Sequence, residues 1–152
     1  MKRKIALGVV AFSLAVGGAF AMKNSPSNPE LRHFSGKNIA VIAGGREFAV
    51  HLYDNATAND LYAKLPMTLY VENYPGYDEK VIRLEQKLSM QGAPKGDEPG
   101  IPEVGYYAPG NWIALYYGHI GYWSGKVPLG TIDASTDEIG SIEPGEIRIE
   151  AR

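Results

Sequence analysis

The sequence predicts a mainly β domain that closes into a barrel of about eight strands with one or two short helices. Short apolar or alternating runs are separated by turn residues, and 18 Gly and 10 Pro among 152 residues supply those turns. A hydrophobic fraction of 45% beside 21% charged residues is the balance of an ordinary globular domain. Closure into a barrel hides the edges that so many short strands would otherwise expose.

The first 21 residues have the pattern of a secretory signal peptide. Three basic residues at 2–4 precede an uncharged apolar run, and AFA at 19–21 is the small-x-small pattern that signal peptidase cleaves. The run is shorter than the roughly 20 residues that span a bilayer, although an uncleaved anchor is the alternative. We therefore expect an exported, periplasmic or extracellular protein, with a flexible leader at 22–36 and the domain at 37–152.

Charge and composition narrow the function classes further. Without residues 1–21 the chain has 12 basic and 17 acidic residues, a net charge of −5, so we expect no nucleic-acid partner and no membrane partner after signal cleavage. The chain has no Cys, which excludes disulfides, thiolate metal sites and a cysteine nucleophile. His33, His51 and His119 share no metal-ligand spacing, and no Gly-rich phosphate loop follows a strand. We predict no metal and no cofactor, and the oligomeric state stays open.

The first predicted unit is a hairpin. An apolar strand at 38–43 and an alternating strand at 46–53 flank Gly44-Gly45, and a Gly pair between two such runs is a hairpin signal. The alternation of the second strand places His51 on its outer side, where we expect it to be solvated.

A helix is predicted next, at 57–65. Thr57 and Asp60 have the spacing of a capping box, and Pro66 stops the helix. Ala58 and Leu61 belong to an apolar stripe at helical spacing that packs on the core. The remaining predicted elements are strands at 67–74, 81–90, 104–107, 112–117, 127–132 and 146–150, a long loop at 91–102, and a short helical segment at 133–142 that Ser135 or Thr136 can cap.

Aromatic residues are concentrated between positions 106 and 123. Seven of the chain's 16 aromatic residues lie there, and adjacent strand residues face opposite sides, so each Tyr pair sends one ring inward and one outward. The rings either fill the barrel and cover its surface, or line a groove for a proline-containing peptide or another flat ligand. The cluster consists of Tyr106, Tyr107, Trp112, Tyr116, Tyr117, Tyr122 and Trp123.

Four stretches resemble a bacterial cyclophilin-like family, in order and at its spacing. They are LYDNATANDL at 52–61, followed by Leu65-Pro66; KLSMQGAP at 87–94; YYAPGN at 106–111; and PLGTID at 128–133. The resemblance covers about residues 37–151 and implies a closed barrel of about eight strands with short capping helices, in agreement with the strand count.

The resemblance also implies candidate site residues. Cyclophilins carry an Arg, an aromatic residue five positions later and a Gln-Gly three beyond it. Here Arg83 and Gln91 keep that spacing as catalytic candidates, and Leu88 replaces the aromatic residue. Trp112, in a shortened second signature that lacks its Gln, and Tyr122 are the further ligand-binding candidates.

Three hypotheses follow for the function. The first is an exported cyclophilin-like domain that binds a peptide or small ligand in a surface groove beside Arg83, Gln91 and Trp112. The second is a peptidyl-prolyl isomerase with a degenerate site, in which Arg83 donates to the proline nitrogen and so lowers the barrier of about 18–20 kcal/mol that amide resonance creates. In the third, a structural partner-binding domain, Arg83 is an ordinary surface strand residue.

Overall fold

The computed structural model describes residues 27–152, in which eight antiparallel strands form a closed barrel. The predicted signal peptide at 1–21 lies outside the described residues. The barrel strands are β1 (Phe34–Ala43), β2 (Arg46–Tyr53), β3 (Met67–Asn73), β4 (Glu79–Arg83), β6 (Glu103–Tyr107), β7 (Trp112–Tyr116), β9 (Lys126–Ile132) and β10 (Gly145–Ala151). Two-residue strands β5 (Gly96–Asp97) and β8 (Trp123–Ser124) form a separate ribbon, and the helices are α1 (Ala56–Ala63) and α2 (Thr136–Gly140).

The strand order around the barrel is β9-β2-β1-β10-β3-β4-β7-β6, and β6 pairs with β9 to close it. This architecture confirms the predicted mainly β barrel with two helices. No helix among residues 27–152 has the length and apolar character that crossing a membrane requires.

The first hairpin has the predicted turn. Gly44 and Gly45 have φ angles of 57° and 78°, the left-handed conformation that a two-residue hairpin turn needs and that glycine adopts without strain. Strand β1 begins at Phe34, earlier than the predicted start at residue 38, and its register with β2 shifts between Phe34 and Asn38.

Alternation along the strands fills the barrel with aliphatic side chains. Helix α1 lies against this core, since Ala58 and Leu61 are fully buried within the same cluster. The largest buried aliphatic side chains of the interior are Ile39, Leu52, Ile82, Ile113, Leu115, Leu129, Ile147 and Ile149.

The predicted cap of helix α1 is wrong. The helix starts one residue earlier because Asn55 is its N-cap, with Oδ1 accepting from the Ala58 N–H at 2.7 Å. Thr57 is buried inside the first turn, where its hydroxyl donates to the Ser89 carbonyl at 2.6 Å. The Asn55 amide also donates to the Pro128 carbonyl at 2.9 Å, so contacts distant in sequence select the cap. At α2 the predicted Ser135 cap is confirmed, in a capping box with Glu138.

The predicted strand at 81–90 is confirmed at 81–83 and is wrong from residue 84 onward. Strand β4 ends at Arg83, opposite Trp112, where the neighbouring strand β7 begins. From residue 84 to residue 95 the chain forms an irregular loop, in which Leu84 and Leu88 turn into the core. A strand needs paired neighbours for its backbone groups. The pairing of β4 with β3 ends at Ile82, and its pairing with β7 ends at Arg83.

Candidate functional site

Four side chains form a row across the outside of the barrel. The register pairs Arg83 of β4 with Trp112 of β7, Trp112 with Tyr107 of β6, and Tyr107 with Lys126 of β9. Their chain neighbours belong to the interior cluster, so strand alternation places this row on the outer face. A second cluster, separate from the core, covers this face with Val81, Trp112, Ala114 and Tyr116.

Five aromatic rings close a circuit on this face, which we call the aromatic pocket. Starting from Tyr77, centroid distances to the next ring are 5.2 Å to Tyr74, 5.4 Å on to Trp112, 5.0 Å on to Tyr107, 6.1 Å on to Trp123 and 5.9 Å back to Tyr77. These separations lie in the favourable range for aromatic pairs. The side chains of Glu79 and Lys126 complete the lining.

Lys126 brings a buried cation to this pocket. The residue is 4% exposed, and its Nζ lies 4.5 Å from the Tyr116 ring centroid and 5.6 Å from that of Trp123. Burial lowers the pKa of Lys126 to about 8, while the charges of Glu79 and Asp97 act in the opposite direction. Cation–π contact with two rings holds the ammonium in place without a hydrogen-bond acceptor.

Glu79 is the buried carboxylate of the same pocket. It is 3% exposed, and burial raises its pKa above the ordinary value of a glutamate, opposed by the charge of Lys126 and by the neighbouring indole N–H of Trp112. The two groups form no ion pair within 4.0 Å although both line the pocket.

Unpartnered polar atoms are concentrated on this face. Among residues 27–152, the buried side-chain nitrogen and oxygen atoms without a hydrogen bond of normal geometry are Trp112 Nε1, Tyr116 Oη and Lys126 Nζ, and of these Trp112 Nε1 lies close enough to Glu79 to stabilise its carboxylate. All three can donate, and an unpaired buried polar group costs roughly 1–3 kcal/mol. Unsatisfied groups that converge on one place mark a candidate binding site.

A small flap covers the pocket. Strands β5 and β8 pair Gly96 with Ser124 and Asp97 with Trp123, and the Gly125 N–H donates to the Lys95 carbonyl at 2.8 Å. A Cβ at Gly96 would lie 2.5 Å from the Trp123 carbonyl oxygen, so only glycine permits this close approach. The flap thereby sets the position of the Trp123 ring over Lys126.

A buried ion network holds the flap to the barrel. Arg32 contacts Asp97 of β5 at 2.7 Å and Glu103 of β6 at 2.8 Å, and the Tyr53 hydroxyl donates to Glu103 at 2.6 Å. Burial by itself would lower the pKa of Arg32, but its hydrogen bonds to Asp97 and Glu103 outweigh that effect and raise it. Burial raises the pKa of Asp97, and the Arg32 contacts oppose the shift. Arg32 lies in the segment predicted as a flexible leader, where a single 3₁₀ turn spans Pro29–Leu31.

The five predicted site residues are placed differently from one another. Arg83 and Trp112 are together, since the Arg83 guanidinium lies 4.9 Å from the Trp112 ring centroid while its Nε contacts Glu72 at 3.2 Å. Leu88 is 4% exposed within the barrel core. Gln91 is exposed in the 84–95 loop. Tyr122 is 58% exposed and lies beside the flap. Of the five, only Trp112 lines the aromatic pocket, and Arg83 lies beside the pocket through its contact with Trp112.

The pocket contains residues that the sequence analysis did not select. Tyr74 and Tyr77 come from the turn after β3, far in sequence from the aromatic cluster at 106–123, and only the β4–β7 pairing brings them to it. Alternation along EKVIR at 79–83 does place Glu79 on the face of Arg83, a signal that could have been used. Within residues 27–152 no group of three or more His, Asp or Glu side chains could hold a metal ion.

This chain belongs to the Cyclophilin-like family, whose pattern matches residues 41–150. Its fold is similar to the solution structure of a hypothetical protein from Archaeoglobus fulgidus, with a TM-score of 0.57 and 18% sequence identity over 78% of this chain and 96% of that one. No curated protein matches the sequence. The family confirms the predicted resemblance, and the structural neighbour supports the fold alone.

Proposed function

We propose that this domain is an exported binding module whose aromatic pocket takes a proline-containing peptide or a small ligand. The observation that carries the proposal is a closed circuit of five rings whose lining also includes the buried ammonium of Lys126, which has no hydrogen-bond partner. Aromatic walls give a flat ligand a large contact area at low rotamer cost, and a few converging polar groups orient it. Both features are typical of binding sites rather than of a covered sheet face.

The chain's two Trp residues make this proposal simple to test. Trp112 and Trp123 both line the aromatic pocket, so the whole Trp emission reports on it. We expect saturable changes in emission when peptides with one Pro, or members of a small-molecule set, are titrated into the protein. The single variants Trp112→Phe and Trp123→Phe each keep one Trp residue. An emission change that persists in one variant is therefore assigned to the Trp side chain that remains. Emission that never changes with any candidate would contradict binding in this pocket.

Prolyl isomerisation is the second candidate function. The specific observation in its favour is Arg83, which lies over Trp112 at the rim of the same outer face and is half exposed. A guanidinium there could donate to a proline nitrogen while Trp112 contacts the ring, and that stabilises the twisted amide. The Glu72 contact of Arg83 and the exposed position of Gln91 in the 84–95 loop distinguish this arrangement from the predicted catalytic set.

A protease-coupled isomerisation assay separates the two functions. If the domain is an isomerase, Arg83→Ala should remove the activity, whereas Arg148→Ala, a change at another exposed Arg, should leave it intact. Wild-type protein without activity would exclude the isomerase and leave the binding module. Ligand binding that survives Arg83→Ala would further show that the pocket, and not Arg83, provides the affinity.

Export is tested on the full chain. The support for it is the basic start, the apolar run and the AFA pattern at 19–21. We expect the secreted or periplasmic protein to begin at Met22, which N-terminal sequencing checks directly. A chain that keeps residues 1–21 and sediments with membranes would favour the uncleaved anchor instead.

A further inference from the structure

The Arg32 guanidinium occupies a complete hydrogen-bonding site between the flap and the barrel. Its Nη1 and Nη2 donate to the two carboxylate oxygens of Asp97 at 3.0 Å and 2.7 Å. Its Nε and Nη2 donate to the two oxygens of Glu103 at 2.8 Å and 2.9 Å. Nη1 also donates to the Asn28 carbonyl at 3.0 Å. All five N–H groups of the guanidinium therefore have acceptors, four of them in two bidentate pairs.

The barrel half of this site is held in place by groups other than Arg32. The Tyr53 hydroxyl donates to one carboxylate oxygen of Glu103 at 2.6 Å, and the Gly100 N–H donates to the other at 2.7 Å. The Arg32 guanidinium also lies 5.9 Å from the Tyr53 ring centroid, within the range of a cation–π contact. Glu103 and Tyr53 therefore present an oriented acceptor to a planar cation, whichever chain carries that cation.

The flap half of the site depends on Arg32. Asp97 pairs with Trp123 in the flap, and among residues 27–152 it is Arg32 that supplies the hydrogen bonds of the Asp97 carboxylate. Asp97 and Glu103 are only 5% and 3% exposed, so two like charges would be buried close together without a cation between them. Loss of the guanidinium therefore favours movement of the flap away from the barrel.

Arg32 is also the side chain that inserts the N-terminal segment into the protein. The 3₁₀ turn Pro29–Leu31 contains no buried residue, whereas the Arg32 side chain is 10% exposed. The next backbone contact with the barrel is the hydrogen bond from the Asp54 N–H to the His33 carbonyl, at 2.7 Å. A segment held in this way can release the flap by withdrawing one side chain.

The flap closes the aromatic pocket in this structure. The space between the five rings has room for about one water molecule and for no peptide side chain. Trp123 of β8 forms one wall, and its backbone is paired with Asp97 of β5. A larger ligand enters only when this wall moves, and movement of the flap carries the wall with it.

We infer that Asp97, Glu103 and Tyr53 form a guanidinium-binding site that Arg32 fills in cis, and that the filled site latches the flap over the aromatic pocket. The ligand class follows from the present occupant, because two bidentate carboxylates match a planar fork of N–H donors and not a compact ammonium. When Arg32 leaves, the site can take the arginine side chain of another polypeptide. Control of access to the pocket rests on the proposed binding function, whereas the guanidinium site does not.

The first test removes the cis ligand and supplies it from solution. Arg32→Ala deletes the guanidinium and the two methylene groups next to it, and N-ethylguanidinium carries those same groups. We expect this compound to raise the thermal midpoint of Arg32→Ala saturably, by about 3 °C or more, and to leave wild type and Arg46→Ala unchanged. Ethylammonium is the control for charge alone and should raise the midpoint much less. No rise with N-ethylguanidinium, or an equal rise with ethylammonium, overturns the guanidinium site.

Hydrogen exchange then tests whether the filled site holds the flap. The Gly125 amide marks the flap, because it donates to the Lys95 carbonyl. We expect this amide to exchange about tenfold faster or more in Arg32→Ala than in wild type, and to slow again with N-ethylguanidinium. Leu115→Ala, a change at a fully buried core residue, is the control for general loss of stability and should leave Gly125 exchange near its wild-type rate. Equal acceleration in the two variants overturns the latch.

Arg32→Lys is the second variant, for the case that Arg32→Ala does not fold. Lysine keeps the charge but cannot form two bidentate pairs, so Gly125 should again exchange faster than in wild type, and unchanged exchange overturns the latch. These measurements use no ligand of the aromatic pocket. A latch that behaves as expected in a protein that binds no peptide or small molecule refutes the proposed function alone. Peptide binding with a flap that does not respond to Arg32 refutes the latch alone.

Discussion

Arg32 connects the N-terminal segment, the flap and the barrel through two buried carboxylates. Its side chain is 10% exposed, and those of Asp97 and Glu103 are each 4% exposed. The net value of such a network is small when it is complete, because desolvation offsets most of the attraction. Loss of one member is different, since it leaves charges buried without partners.

We predict that Arg32→Ala lowers the free energy of unfolding by about 3–5 kcal/mol, as measured by denaturant titration. The matched control is Arg46→Ala, whose partner Glu138 is half exposed, and we expect at most about 1 kcal/mol there. Equal losses in the two variants would contradict a structural role for the buried network.

The stability loss caused by Arg32→Ala should depend on pH. Burial raises the pKa of Asp97 in the folded state, so its ionised form disfavours folding above the ordinary range of an aspartate, and Arg32 reduces that cost. Without Arg32 the pKa of Asp97 rises further, and the stability that the variant loses relative to wild type is largest at neutral pH. We expect the difference in unfolding free energy between wild type and Arg32→Ala to narrow as the pH falls below 7, because protonation of Asp97 removes its unpaired buried charge in the variant.

Lys126 gives a second pH dependence, on the alkaline side. Its folded-state pKa is about 8 because of burial, below the unfolded value of 10.5. Between these two pKa values the unfolded state binds more protons at Lys126 than the folded state does. The contribution of Lys126 to the free energy of unfolding is therefore lowest below about pH 8 and increases as the pH rises above it. Relative to Lys126→Met, wild type should gain up to about 2 kcal/mol between roughly pH 8 and 9.5. Trp emission should titrate near pH 8 in wild type only, and parallel pH profiles would contradict the assignment.

The flap has few backbone hydrogen bonds to hold it, because its two strands contain only two residues each. It nevertheless positions Trp123 over Lys126 and therefore controls access to the aromatic pocket. Its geometry depends on Gly96, where a side chain would meet the backbone of the opposite strand.

We predict that Gly96→Ala displaces β8, at a cost of about 1–3 kcal/mol, and moves Trp emission to longer wavelength as Trp123 becomes solvated. Gly100→Ala is the control, because a Cβ there makes an ordinary contact at 3.5 Å with the Glu103 side chain. Far-ultraviolet circular dichroism should show the barrel retained in both variants. An unchanged emission spectrum in Gly96→Ala would show that the flap does not control the Trp123 environment.

The barrel behaves as one unit because every one of its eight strands has two paired neighbours. All eight strands contribute side chains to the same interior, so a cavity anywhere in it lowers the stability of the entire barrel. The outer aromatic face rests on strands β4, β6, β7 and β9, and it should be lost together with the barrel.

We predict that Leu115→Ala, a change at a fully buried side chain, lowers the free energy of unfolding by about 2–5 kcal/mol. The transitions followed by circular dichroism and by Trp emission should shift together. Tyr70→Ala, at a residue that is 59% exposed, is the control and should change stability little. Separate transitions for the two probes would show that the outer face unfolds independently.

The sequence by itself determined the barrel, because alternation, turn residues and the Gly44-Gly45 hairpin are local signals that the tertiary structure retains. It also indicated the aromatic cluster and the Arg83–Trp112 neighbourhood. Tertiary structure alone decided the cap of α1, the end of β4 and the pocket. Asn55 caps the helix because Thr57 finds a partner at Ser89, and Tyr74, Tyr77 and Glu79 meet Lys126 only through strand pairing. Local propensity ranks residues for a role, but contacts distant in sequence select the one that performs it.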